Sequence, residues 1–470
     1  MTPDAIVVGS GPNGLAAAIT LAQAGLKTLV REAQPTIGGG LRSAELTLPG
    51  FTHDVCSAVH PLALSSPFFQ TLPLRKFGLE WIQSTAALAH PLDGGKAAVL
   101  ERSLDATAAG LGAGGRSWKR LLAPFVEAWD DLMPGVLAPP IQIPEHPLLM
   151  ARFGLKAVRT ATGLARGALE GTAARALFAG NAAHSFLPLD EWGTAAFGLM
   201  LSGSGHAVGW PIVRGGSQRL ANALAGFFRS LGGEIVTEAP VEHIDEVRSA
   251  KIVMLDLSPP QIARLASDRL PAKYRQALER YRLGAAAFKL DWALDGPVPW
   301  SAPECARSAT VHLGGTLEEV TASEAAPARG EVHPRPFVLF VQPSLFDSTR
   351  APAGKHTAWA YCHAPNGCTL NLTDHIERQV ERFAPGFRER ILARSILTPA
   401  DLQRRNANLI GGDISGGMMD LRQVFARPVL SLTPYRTPLR GVYICSASTP
   451  PGGGVHGMSG RHAAQAALGR

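Results

Sequence analysis

Cysteine is scarce in this 470-residue chain: Cys56, Cys305, Cys362, Cys368 and Cys445 make five, an odd number with no C-x-x-C pair. That excludes a disulfide framework and a cysteine-bound zinc site, and it points to a reducing, cytoplasmic setting. Cys362 and Cys368 lie too far apart in sequence to resemble a redox-active dithiol. A basic run is also lacking. Lys and Arg outnumber Asp and Glu by 45 to 38, a formal charge of +7, but the excess is arginine scattered singly, which excludes the usual footprint of nucleic-acid binding. No window approaches the roughly 18 to 20 uninterrupted apolar residues of a membrane span. The N-terminus runs almost at once into a strand-like segment, without the basic and apolar stretches of an export signal. No H-E-x-x-H, nucleophile elbow or Ser-His-Asp order is legible, so hydrolysis and metal catalysis have no support.

What is present is concentrated at the two ends. Ala5 to Val8 is a short β-branched run that leads through Gly9, Ser10 and Gly11 into an Ala/Leu-rich helix over 13–24, closed by Gly25, with a second strand at 27–31. Gly9, Gly11 and Gly14 form G-x-G-x-x-G, and Glu32 follows the last glycine by 18 residues, at the end of the second strand. Each position has a task in a dinucleotide site. Gly9 makes the tight turn, Gly11 lets backbone approach a pyrophosphate, and Gly14 lets helix and strand pack closely. The helix N-terminus offers unpaired N–H groups to phosphate, Pro12 costs the first turn nothing, and Glu32 accepts ribose hydroxyls. A second G-x-G-x-x-G, at Gly110, Gly112 and Gly115, follows helix-like sequence and has no acid after a second strand, so it reads as a loop. With a single dinucleotide unit, no separate NAD(P)H site is visible.

Between the ends the pattern shifts twice. Residues 51–207 read as loops and Ala/Leu/Arg-rich helices, among them 119–133 and 150–180. Strand and helix patterning returns with a helix over 217–231, short strands at 234–237 and 241–244, and a buried strand at 251–257. Four strand candidates without intervening helices, Ala286–Leu294, 310–313, 337–342 and 357–363, favour an antiparallel sheet. A helix near 374–394, a strand at 441–446 and a helix over 458–468 complete the chain. The expected fold is α/β: a doubly wound Rossmann-type domain assembled from 1–60, 211–258 and 401–470, with an inserted α+β substrate domain from 61–210 and 259–400.

At this point the residues carry a resemblance. Residues 32–43, E-A-Q-P-T-I-G-G-G-L-R-S, resemble the segment after the second strand in the amine oxidase and phytoene desaturase superfamily, where an acid is followed by Gly-Gly and then Ser or Thr. Gly38 and Gly39 match the pair and Ser43 the hydroxyl. The superfamily's arginine directly after the pair is Gly40 here, and Arg42 comes two residues later. L-P-G-F-T-H-D at 48–54 resembles the phytoene-desaturase-related branch. The tail from Tyr435, Y-R-T-P-L-R-G-V-Y-I-C-S-A-S-T-P-P-G-G-G-V-H-G-M-S-G-R-H-A-A, is similar to the flavin-covering terminus of carotenoid desaturases, with Ser446 and Ser448 where glycines are usual.

The resemblance implies FAD as cofactor and an oxidoreductase that moves a hydride between the carbon of an apolar or lipid-like substrate and flavin N5. It places Val241 against the adenine and Gly454, Val455, Gly457 and Met458 beside the flavin, where the last helix aims its positive end at the edge that becomes anionic on reduction. His456 lies in that loop and is the candidate catalytic residue. The loop offers no Lys, Asp or Glu, so hydride transfer without protein acid–base chemistry is expected. His184, His206 and His363 are lesser candidates. Arg152, Lys156, Arg159, Arg166 and Arg175, spaced among apolar residues, are compatible with peripheral membrane contact or with solvated helix faces. A redox-neutral polyene isomerase, an amine oxidase and a non-catalytic flavoprotein are the alternatives.

Overall fold

The computed structural model describes residues 3–469. Two sheets organise it. In the first, five parallel strands lie in the order Val442–Ile444, Ile252–Leu255, Ala5–Val8, Thr28–Arg31 and Glu234–Val236. Ala5–Val8 is buried along its whole length, as a strand covered on both faces must be. The helix Pro12–Gln23 packs between Gln218–Ser230 and Met458–Leu468. The last of these approaches closely because Gly460 lies against the carbonyl of Asn13, where any side chain would collide. Chain start and chain end are thereby locked side by side.

The second sheet has seven strands, in the order Ile391–Leu397, Ala286–Leu294, His356–Ala364, Val338–Val341, Ser308–Leu313, Ala86–Leu92 and Lys96–Leu100. Its pairs are antiparallel except Ser308–Leu313 with Ala86–Leu92, which is parallel. The helices Thr172–Ala182 and Thr194–Ala207 pack on its Ala86–Leu92 and Lys96–Leu100 end and carry the other helices of this region. The expected α/β organisation with an α+β part holds, and no helix among the described residues is long and apolar enough to cross a membrane.

Local expectations needed correction. Residues 150–180 are not one helix but parts of Pro147–Ala157, Ala161–Ala168 and Thr172–Ala182. Thr160 restarts the chain by accepting the N–H of Gly163 at 3.0 Å, and Gly171, at φ +72°, supplies the second break. Similarly, 119–133 divides at Ala128 between Gly115–Val126 and Trp129–Val136. The second glycine motif is no loop: it joins Leu104–Gly110 to Gly115–Val126, with Gly115 pressed on the backbone of Ala108. Residues 241–244 form no strand, because Glu246 accepts the N–H groups of Glu242 and His243 and caps a 3-10 turn. The helix expected over 374–394 is Thr373–Phe383. Pro385 and Gly386 stop it, and Ile391–Leu397 continues as an edge strand.

Candidate active site

The glycine turn is a tight cradle with a carboxylate behind it. Gly9, at φ +101°, bonds its N–H to Arg31 O at 2.8 Å and sits on Asp256, just after the neighbouring strand Ile252–Leu255. A Cβ on Gly11 would lie 2.6 Å from Asp256 Oδ2, and one on Gly14 would strike the carbonyl of Gly9. Gly14 N–H donates to Asp256 Oδ2 at 3.0 Å. Burial, reinforced by the nearby Glu32 charge, pushes the Asp256 carboxyl up to about 7. Sequence reading missed this residue. Its signal was an acid closing an apolar strand.

Glu32 is buried and fully engaged. Its Oε2 accepts Ser10 N–H at 3.0 Å and Ser10 Oγ–H at 2.5 Å; its Oε1 accepts Gln34 N–H at 2.9 Å and Arg42 Nη2 at 3.1 Å. Four donors match the roughly four lone-pair sites of a carboxylate. Arg42 also donates to the carbonyls of Thr36 and Arg405, so its bonds all run to protein. Gly9, Gly11, Glu32, Gly39, Arg42 and Val241 line one cavity of about 780 Å³. Gly14, Gly38 and Ser43 do not: Gly38 packs on Ala221, and Ser43 Oγ donates to Asp54 Oδ1 at 2.7 Å.

The C-terminal loop closes the same cavity with Gly453, Gly454 and Val455. A Cβ on Gly453 would meet Ser415 O at 2.5 Å, so the backbone passes where no side chain fits. Gly457, at φ +68°, turns the chain into Met458–Leu468 and packs on Phe69 and Ala16. His456 is turned away from the cavity. It is 1% exposed, and its Nδ1 accepts Met458 N–H at 3.0 Å, which makes it the cap of the last helix. Burial lowers its imidazole to about 4.

From the cradle the cavity continues into an aromatic chamber. Trp359 and Tyr361, from His356–Ala364, stack with centroids 5.8 Å apart; Phe186 stacks on Tyr361 at 6.0 Å; and Phe197, Met200 and Trp210 complete the wall. Beneath Trp359 a buried charge cluster lies between the sheet and the short strand Thr52–Asp54. Lys289 Nζ lies 5.1 Å from the Trp359 ring centroid and donates to Asp291 Oδ2 at 2.5 Å, while Arg350 Nη2 donates to Asp54 Oδ2 at 2.5 Å. Burial raises Asp291 to about 6 against the pull of Lys289. Of the other histidines, His184 lines the chamber. His206 accepts Trp118 Nε1 at 3.0 Å, and His363 pairs with Glu324 at 2.5 Å; neither reaches the cavity.

Comparison with known proteins agrees with this geometry. Residues 7–70 match the family described as NAD(P)-binding Rossmann-like domain. The pyridine nucleotide-disulfide oxidoreductase domain-containing protein 2 of Rattus norvegicus is 29% identical over 98% of this chain and 92% of its own. A 4,4'-diapolycopen-4-al dehydrogenase of Metabacillus indicus is 24% identical over 57% of this chain and 55% of its own. Among solved structures, an oxidoreductase from Methanosarcina mazei covers 99% of this chain and 100% of that one, with TM-score 0.64 and 15% identity. Putrescine oxidase bound to putrescine covers 100% and 99%, with TM-score 0.63 and 17% identity. The chain is thus similar in sequence to oxidoreductases along nearly its whole length and shares the fold of putrescine oxidase.

Proposed function

We propose that the protein is an FAD-dependent oxidoreductase acting on an apolar substrate. The observation that carries this reading is the continuity of the cavity, which runs from Gly11 and Glu32 past Gly454 to Trp359 and Tyr361. One long occupant can span cradle and loop and leave the aromatic chamber to a second molecule. The fit is chemical as well as spatial. Gly11 and Gly453 stand where a side chain would collide with protein, and the first turn of Pro12–Gln23 opens on the cavity through Pro12 and Asn13, as a pyrophosphate requires.

In this reading Gly9 and Gly11 hold the pyrophosphate, Val241 borders the adenine, and Gly39 with Arg42 closes the cradle. Glu32 takes the ribose by exchanging Ser10 Oγ or Arg42 for a ribose hydroxyl, since its lone pairs are otherwise filled. Gly454 and Val455 face the flavin. Bound FAD supplies a two-electron acceptor for a hydride that leaves the substrate's carbon. The chamber walls, Trp359, Tyr361, Phe186 and Phe197, exclude water and orient a flat, apolar molecule.

Acid precipitation of the purified protein tests the cofactor: about one FAD per chain is expected in the supernatant. Release of FMN, or yellow colour kept in the pellet, rejects the assignment. Anaerobic titration of the bound flavin with polyenes, unsaturated lipids and amines then tests the reaction. Bleaching is expected with apolar unsaturated compounds; bleaching by amines alone would make the protein an amine oxidase.

A further inference from the structure

The floor of the aromatic chamber is small, and each of its edges is a particular side chain. Among the described residues of the seven-stranded sheet, Leu339, Trp359 and Tyr361 alone line the cavity. Leu339 is the register partner of Tyr361, and Trp359 lies two residues before Tyr361 on the same face. The floor is therefore two strands wide and two side chains long, with rows about 5 Å apart across the strands and about 7 Å apart along them. Lys289, which pairs with Tyr361 from the other side, is tied to Asp291 and stays outside the cavity. His312, the partner of Leu339, is buried outside it too, and so is Thr357, the next residue on this face before Trp359.

The fourth edge is made by Phe186. Trp359, Tyr361 and His363 alternate along one face of His356–Ala364, yet the cavity stops at Tyr361. The Phe186 ring has its centroid 6.0 Å from that of Tyr361 and 3.8 Å from that of His363. It lines the cavity while His363 does not, so it covers His363 from the chamber side. The backbone holds the ring there in an unfavourable shape. Directly after the 3-10 turn Ala183–Ser185, Phe186 sits at φ +58° and ψ +27°, a left-handed conformation that a bulky side chain rarely adopts.

We propose that Phe186 determines substrate length: it confines the chamber to a compact apolar molecule, about one ring lying on Tyr361 and Trp359, and shuts out a long polyene. This rests on the oxidoreductase reading of the same cavity and narrows its substrate class from apolar to compact. Without the ring the floor would gain a third row at His363, about 7 Å further along the strand.

The test is calorimetric titration of the holoprotein with 2-phenylethanol and 6-phenylhexanol, which differ by four methylenes, each worth about fourfold in affinity when buried. In the unaltered protein the longer probe should bind less than tenfold more tightly than the shorter, because Phe186 stops the chain. Phe186→Gly removes the ring and suits the left-handed turn, so it should raise the ratio of the two affinities at least tenfold. A purely packing role for Phe186 would lower the melting temperature of that variant and leave the ratio where it was. A gain of tenfold or more with length in the unaltered protein overturns the proposal without recourse to a variant. So does a smaller rise of the ratio in folded Phe186→Gly, or failure of both probes to bind at millimolar concentration. Flavin content, read by absorbance before each titration, reports separately on the cofactor: a colourless protein condemns that reading, whereas the length comparison condemns only the role of Phe186.

Discussion

At the scale of single residues, the site is governed by which carboxylates are paired. Glu32 has four donors; Asp256 shares the same low-dielectric pocket with fewer, and the nearby Glu32 charge opposes its ionisation. A carboxyl raised to about 7 when folded and near 3.9 when unfolded binds more protons in the native state, so its ionisation costs stability as pH rises through that window. Asp256→Asn keeps an acceptor for Gly14 N–H and cannot ionise. The variant should therefore gain on the unaltered protein as pH goes from 5 to 8, by at most a few kcal/mol, at about 1.4 kcal/mol per pKa unit. Thermal melts of both proteins across that range measure it, and a constant gap would mean that Asp256 ionises normally. Asp256 also marks where sequence reading stopped. Gly9, Gly11 and Glu32 were legible because spacing and residue type encode their task, whereas Asp256 and Lys289 are recognisable only once strands distant in sequence are adjacent. His456 was legible as part of the loop, but its orientation depended on the helix N–H it caps.

At the scale of elements, the helix Pro147–Ala157 is unusual for what it leaves in water. Leu148 is 86% exposed and Leu155 is 76% exposed, with Ile143 beyond the N-terminal end, Trp192 alongside the C-terminal end through its bridge to Thr160, and Arg152 among them. Three of the five basic residues first grouped over 150–180 are engaged with protein instead. Arg166 pairs with Glu318, and Arg159 and Arg175 donate to nearby carbonyls. Co-sedimentation with phosphatidylglycerol vesicles should thus depend on the leucines more than on the charges. Changing Leu148 and Leu155 together to Ser should weaken it about tenfold or more, since burying one leucine side chain is worth roughly 1.5–3 kcal/mol. Sedimentation that ignores the double variant would leave these residues as solvated surface. The same region shows why elements were harder to read than motifs. Ala-rich sequence carries little periodicity, so the hairpin of Ala86–Leu92 and Lys96–Leu100 went unseen, and breaks such as Thr160 and Gly171 resemble ordinary helix residues. Ala286–Leu294 was readable to the residue, because a strand buried on both faces is a continuous apolar run even with Lys289 and Asp291 paired inside it.

At the scale of the whole molecule, chain start, chain middle and chain end meet around one cavity, and this constrains the electron supply. The strands that carry Gly9, Glu32 and Asp256 come from one parallel sheet, while Gly454 is held over it by a helix packed on Pro12–Gln23. If FAD occupies that cradle, a nicotinamide nucleotide has to displace it or approach through the aromatic chamber, where Trp359, Tyr361 and Phe186 offer no charge to a pyrophosphate. The other G-x-G-x-x-G gives no second site, since Gly110 ends one helix and Gly115, pressed on the backbone of Ala108, begins the next, with no strand leading into it. Glu32 further disfavours a 2′-phosphate, which would meet the negative charge of its carboxylate. NADPH and NADH should therefore reduce the bound flavin slowly, and NADPH should be no better than NADH. Anaerobic stopped-flow at 450 nm against micromolar nucleotide is the measurement. Complete bleaching within seconds by either would show that a nicotinamide reaches the flavin, and the cradle would have to be reassigned to it.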